Sequence, residues 1–328
     1  MEGRPFSVAG IISGVGNILG FYQAGFKPIF SIDHRKFIKK GWETFENNFE
    51  GIKFSDNLQD FKEINPTVIV SSPSCAQVSL LGLKRLDRKE LEHLPMEEFE
   101  FIQSLNILFE RNPEFFIVEY LKRFLKHFNV THRGINREIT KQFLPFPEEY
   151  RVQIIQLNAI SYGIPQIRKR LFIIFSKHKY DFIYIPPIYL SIDNKKVGDV
   201  LIELDELRKT QILLNDKEPY HSPERIEGFS KLKFGESYYG TLNNKRLRPD
   251  RFAPVITSHC SRHVHPFKNR VLNVREVATF QGFPLDFQFF GSEGIQLDLV
   301  GKSIPPPIAK HFAQSIYESL IKYENRNQ

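Results

Sequence analysis

Apolar and polar positions follow two alternating rhythms in the first half of the chain. Short uncharged runs, Thr67-Val68-Ile69-Val70 and Phe115-Phe116-Ile117-Val118, read as strands buried on both faces. Between such runs the period lengthens to that of a helix. The strand Ser7-Val8-Ala9-Gly10-Ile11-Ile12 leads through the glycine turn Ser13-Gly14-Val15-Gly16-Asn17 into an apolar-periodic stretch from Ile18 to Phe26, with Gly25 as its C-terminal cap. Ile29 to Ile32 is the next strand, Trp42 to Phe49 a helix, and Phe54-Ser55 the end of a further strand. Helical period returns from Phe101 to Arg111 and stops at Pro113. The stretch Val152 to Ala159 leads into a turn, Ser161 to Pro165, and then to the strand Leu171 to Ile174. This succession predicts an α/β fold with a doubly wound, mostly parallel sheet. From Ser176 to about Asn244 the rhythm fades into Lys-, Pro- and Tyr-rich sequence, read as the core of a second, smaller unit. Val274 to Phe280 and Ile308 to Tyr323 are again helical, the second amphipathic.

Polar residues recur at one place in this pattern. Asp33, Asp56, Cys75 and Glu119 all fall at or just past strand ends, where open α/β sheets bind their ligands. Cys75 follows Ser71-Ser72-Pro73-Ser74, which breaks its strand; it is either a small buried hydrophobe or a thiol in the crevice. The glycine turn lets backbone N–H groups approach a ligand, although many such turns carry glycine for steric reasons alone. Asp33 is placed to bond a ribose diol, or is a solvated loop residue. Lys84, Arg85, Arg88 and Lys89 form a solvated face or a grip on phosphates. Alternation sets Arg168 and Arg170 on one face. His259, Cys260, His263 and His265 match the spacing of no closed zinc site, and no metal is expected.

Composition narrows the class. A net charge of +7 and a pI near 9.2 suit a polyanionic partner. The 328 residues suffice for one large domain or two modest ones. Two cysteines make no disulfide framework and point to a reducing interior. Neither a signal-peptide core nor a bilayer-length apolar run is present, so a soluble, cytoplasmic protein is expected.

Asn158-Ala159 with Tyr162-Gly163-Ile164-Pro165-Gln166-Ile167-Arg168-Lys169-Arg170 resembles the Asn-Ala-x-x-Tyr-Gly-Val-Pro-Gln-x-Arg-x-Arg block of the cytosine carbon-5 DNA methyltransferase family. Arg275-Glu276-Val277-Ala278-Thr279-Phe280-Gln281-Gly282-Phe283-Pro284 resembles its Arg-Glu-Ala-Ala-Arg-Leu-Gln-Gly-Phe-Pro, and Leu19-Gly20 to Ala24-Gly25-Phe26 the end of its first motif. Order and spacing are similar over nearly the whole chain. The departures fall near the chemistry. Pro73-Ser74-Cys75-Ala76-Gln77-Val78-Ser79 stands for Pro-Pro-Cys-Gln-Gly-Phe-Ser, and Glu119-Tyr120-Leu121 for Glu-Asn-Val. Ile12-Ser13-Gly14-Val15-Gly16-Asn17 stands for Phe-x-Gly-x-Gly-Gly, and Gly301-Lys302-Ser303-Ile304-Pro305-Pro306 for Gly-Asn-x-Val-Pro-Pro.

The resemblance implies a Rossmann-like methyltransferase sheet in residues 1–175, a small mixed α/β target-recognition domain in 176–295, and a return to the catalytic domain in 296–328. It implies S-adenosylmethionine as methyl donor, near Ser13, Gly14, Gly16 and Pro73, with its ribose on Asp33, its adenine by Asp56 and its methionine end by Ser303. Cys75 would add to carbon 6 of a flipped-out cytosine, because carbon 5 is too weak a nucleophile to take a methyl unaided. Glu119, protonated or sharing a proton, would bond ring nitrogen 3, while Arg168 and Arg170 would favour the thiolate. Ser79, Lys84, Arg85, Arg88 and Lys89 would contact DNA. The implied setting is bacterial restriction-modification: a monomer acting on double-stranded DNA, with a cognate restriction endonuclease as partner. A tRNA cytosine-5 methyltransferase is the nearest alternative, disfavoured by the substantial segment after Ser176. A catalytically silent DNA-binding relative is another. A dinucleotide-dependent oxidoreductase would use the glycine turn and strand-end acid, but not Cys75, Glu119 and the arginine pair together.

Overall fold

The computed structural model describes residues 6–33, 41–73, 104, 106, 107, 110–120, 148–187, 194–238, 244–257 and 263–328. Seven strands make one sheet: β1 (Ser7–Ile11), β2 (Lys27–Ile32), β3 (Lys53–Ser55), β4 (Val68–Ser71), β5 (Phe115–Tyr120), β6 (Tyr150–Asn158) and β7 (Lys169–Lys177). Their order is β3-β2-β1-β4-β5-β7-β6. The pairs among β1 to β5 are parallel, and β7 runs antiparallel to both β5 and β6. Alternate residues feed two cores. Val8, Val68, Val70, Phe115, Ile117, Phe172 and Ile174 face one side. Ala9, Ile11, Ile69, Phe116, Val118, Ile173 and Phe175 face the other. That two-sided burial is why charge on these strands is confined to positions near their ends.

Helix α1 (Val15–Gln23) leaves the glycine turn and ends as its sequence predicts. Gly25 takes φ +92, its N–H donates to Tyr22 O, and Phe26 N–H donates to Phe21 O. The Phe21 and Phe26 rings, 5.1 Å apart, close that cap with an apolar contact. A short helix α2 (Trp42–Asn48) follows β2. The long last helix, α7 (Pro306–Asn327), lies against α1 so closely that a Cβ on Gly20 would come within 2.5 Å of Ala309 Cβ. Ile308, Phe312, Ile316 and Leu320 of α7 line up at four-residue spacing in the first core.

Residues 176–295 pack in two ways. Helix α3 (Val197–Leu207) contributes Val200, Leu201 and Leu204 to the first core, as α5 (Val274–Phe280) contributes Val277, Ala278 and Phe280. Near α4 (Pro223–Ser230), Phe229, Val264 and Val271 form a small cluster of their own. Helix α6 (Glu293–Lys302) then leads back towards α7.

The Arg-Glu pair opening the second matched block organises this region. Glu276 is fully buried, with Oε1 2.7 Å from Arg270 Nη2 and 3.0 Å from Arg208 Nη2. Its Oε2 accepts from Arg270 Nη1 and from the backbone N–H of Asn273, whose Oδ1 accepts in return from Glu276 N–H. Burial pushes this carboxyl up, but the hydrogen bonds and charge of Arg270 outweigh it and hold it below the usual range. Arg275, equally buried, donates to the carbonyls of Leu214, Pro284 and Phe287; burial draws its guanidinium down to about 10.

His263 and His265, 5% and 0% exposed, are both drawn down to about 4 by burial. Each is therefore neutral in the folded protein where the unfolded chain has begun to bind a proton. Stability must fall as pH drops from about 6.5 towards 4, by at most about 1.4 kcal/mol per pH unit for each histidine. Urea unfolding at about pH 7 and pH 5 should show this loss, and His263→Leu should make the slope shallower. An unchanged slope in that variant would show that His263 takes its proton while folded.

Candidate active site

Strand register brings the first pair of site residues together. Glu119 on β5 lies opposite Phe172 on β7, and Arg170 precedes Phe172 by two residues, so both side chains share one face. Because β7 is antiparallel, its first residues stand at the edge where the parallel strands finish. Arg170 Nε is 2.8 Å from Glu119 Oε1, with the side chains 13% and 9% exposed. No N–H is aimed at Oε1 among the described residues, so the pair is an ionic contact and Oε1 keeps its capacity to hydrogen-bond. Arg168, two residues before Arg170, is turned to other work. Its Nη1 donates to Ile256 O at 2.8 Å and reaches Gly301 O at 3.4 Å, and the residue is buried. The structure thus joins Glu119 with Arg170 and sets Arg168 among backbone carbonyls.

The glycine turn lies at the same edge. Gly14 has φ +66, which suits glycine, and Gly16 has no room for a side chain, since a Cβ there would meet Ile304 O at 2.1 Å. Gly16 N–H donates to Ser303 Oγ at 3.0 Å, and that hydroxyl donates to Leu299 O at 2.7 Å. Ser13 is buried beside them, and Ile12 has the left-handed φ of 52, a strained conformation for a β-branched residue. Asp33, past β2, is 2% exposed; its backbone N–H donates to Ser55 O. Asp56, past β3, is exposed. Ser72 and Pro73, past β4, are buried. Ser13, Gly14, Gly16, Asp33, Asp56, Pro73, Glu119 and Arg170 thus stand along one sheet edge, with Ser303 brought to it from the far end of the chain. Cys75, Ser79, Lys84, Arg85, Arg88 and Lys89 lie outside the described residues, as do His259 and Cys260.

Three residues not singled out from sequence tie the site together. Gln166 donates to Phe280 O and to Gln281 Oε1, and its Oε1 accepts from Ile256 N–H. Gln281 Nε2 donates to Ser303 O at 2.7 Å. Asn17 donates to Ser13 O at 3.0 Å and to Ser72 Oγ at 3.1 Å. In sequence Asn17 and Gln281 each stand beside a glycine, and Gln166 follows the Pro165 turn. All three are buried, and buried amides take hydrogen-bond partners. No group of three His, Cys, Asp or Glu residues able to hold a metal occurs among the described residues, and no described helix is long and apolar enough to cross a membrane.

The chain is similar to known proteins over nearly its whole length. Residues 6–318 match the family of C-5 cytosine-specific DNA methylases. The type II methyltransferase M1.HphI of Haemophilus parahaemolyticus is 28% identical, covering 93% of this chain and 85% of its own length. A putative type II methyltransferase of Methanocaldococcus jannaschii, M.MJ0563P, is also 28% identical, covering 96% and 100%. Among solved structures, a putative DNA modification methyltransferase encoded within an E. coli prophage superposes with a TM-score of 0.72 at 21% identity, covering 96% of this chain and 99% of that one. The S. pombe Dnmt2 methyltransferase superposes with a TM-score of 0.55 at 17% identity, covering 97% and 99%. The seven-stranded sheet, the strand-end residues and a family match spanning nearly the whole length lead to one assignment: the chain belongs to the C-5 cytosine-specific DNA methylase family and is a cytosine-5 DNA methyltransferase.

Proposed function

We propose that the chain moves a methyl group from S-adenosylmethionine to carbon 5 of a cytosine flipped out of a specific duplex DNA sequence, through a covalent adduct of Cys75. The observation that carries this reading is the Glu119–Arg170 pair at the strand edge, with Glu119 Oε1 taking no hydrogen bond among the described residues. The residues at that edge fit the donor. Gly14 and Gly16 let the backbone of residues 302–304 close onto the turn at the start of α1, which brings Ser303 to the sheet edge, and the buried Asp33 there offers a carboxylate for a ribose diol. When bound, S-adenosylmethionine supplies an electrophilic methyl group.

The chain's own residues do the rest. The Cys75 thiolate adds to carbon 6, turning the cytosine ring into an enamine whose carbon 5 takes the methyl group. Loss of the carbon-5 proton to a base then breaks the bond to Cys75, which leaves as the thiolate, and restores the ring. Glu119 shares a proton with ring nitrogen 3 and so stabilises the charge that develops on addition. Arg170 holds the carboxyl in place by its ionic contact. Arg168, bonded to Ile256 O and Gly301 O, anchors the start of β7 to a distant loop and to the last turn of α6. A base that leaves the stack costs a few kcal/mol, which contacts from Ser79, Lys84, Arg85, Arg88 and Lys89 to the phosphates would offset. Readout of sequence we assign to residues 176–295, and the setting is restriction-modification in the cytoplasm, with a cognate endonuclease.

Cys75→Ser should abolish methyl transfer while leaving donor and DNA binding within a few-fold of wild type. Duplex DNA carrying 5-fluorocytosine should trap the wild-type protein covalently, because fluorine cannot leave as a proton does. Full methylation by the serine variant, an adduct on Cys260, or methyl transfer to tRNA in preference to duplex DNA would overturn the reading. Asp33→Ala should weaken donor binding by about 1.5–3 kcal/mol for each charged hydrogen bond lost, measured by calorimetry without DNA. Equal affinity would remove Asp33 from the ribose site. Exchanging Lys177 to Asn244 for the matching segment of a relative should change which duplex sequence is methylated. An unaltered target would place readout elsewhere.

A further inference from the structure

Asn17 occupies the position where the resembled first motif has its last glycine, and it is 3% exposed. Its amide makes two bonds of different kinds. One, to Ser13 O, closes the turn that starts α1. The other, to Ser72 Oγ, crosses to the end of β4, three residues before Cys75 in the sequence. Ser72 is buried, and the preceding Ser71 is itself pinned, its hydroxyl 2.8 Å from that of Ser104. The same turn is held from the opposite side by Ser303, through Gly16 N–H. The donor-side turn and the base of the nucleophile's segment therefore share one side-chain amide.

We propose that Asn17 is a positioning residue for the proposed nucleophile, which by its bond to Ser72 sets where the chain leaves β4, three residues before Cys75 in the sequence. This rests on the role proposed above for Cys75. A bond at the base of a segment acts on what the segment carries. An ångström of misplacement at the reacting atom lowers a rate by on the order of 100-fold.

The two bonds can be separated. Ser72→Ala deletes the bond towards Cys75 and leaves the one to Ser13. Its kcat, and its rate of covalent trapping by 5-fluorocytosine DNA, should fall by about 10- to 100-fold, with donor affinity within about threefold of wild type. Asn17→Gly, which removes both bonds, should lose donor affinity as well. The double variant should trap no more slowly than Asn17→Gly, because the two residues act through one bond. Wild-type trapping in Ser72→Ala, a fall in donor affinity matching the fall in rate, or additive effects in the double variant would overturn the inference. Absence of methyl transfer and trapping in the wild type would instead sink the proposed function.

Discussion

The interior of this protein is constrained by buried amides that must find partners. Gln166, Gln281 and Asn17 are all nearly inaccessible to water. An unsatisfied buried polar group costs about 1–3 kcal/mol, so each amide admits few arrangements of its neighbours. Gln166 reaches Gln281, Gln281 reaches Ser303, Ser303 reaches Gly16, and Asn17 reaches Ser72. Four blocks far apart in sequence are thereby held around one turn. Apolar packing alone tolerates small slips, whereas a hydrogen bond of 3 Å does not. The sheet supplies stability; these side chains supply registration.

The strands were legible because burial on both faces excludes charge and leaves short unbroken apolar runs, as from Val68 to Val70 or Ile173 to Phe175. The strand-end residues were legible for a related reason, since Asp33 and Glu119 are the first charged residues after such runs and Asp56 and Cys75 follow theirs within a few positions. The direction of β7 was not, because an apolar run is the same read either way, and only pairing with β5 reveals it. Arg168 and Arg170 looked alike in sequence. Their difference comes from Ile256 and Gly301, carbonyls 88 and 133 residues away that no local pattern announces. The Arg275-Glu276 pair could be matched to a family block but not understood. Its partners Arg208, Leu214 and Phe287 come from three separate stretches.

Residues 176–295 read from sequence as an independent unit, and the packing shows why the rhythm fades there. Much of the segment is neither strand nor long helix, and its order rests on ion pairs and isolated bridges rather than on a repeating ladder. Such contacts leave little periodic trace. Where α5 joins the first core an apolar face returns, and so does the legible pattern.

The contact between Gly16 and Ser303 spans 287 residues, and the packing of Gly20 on Ala309 spans slightly more. A ribosome adding about 5–20 residues per second exposes α1 for on the order of tens of seconds before the helix that covers it exists. During that interval Ile18, Leu19 and Phe21 are an apolar surface without its partner. The half of the sheet made first is therefore finished last, and nascent chains of this protein are natural clients for chaperones that hold hydrophobic segments.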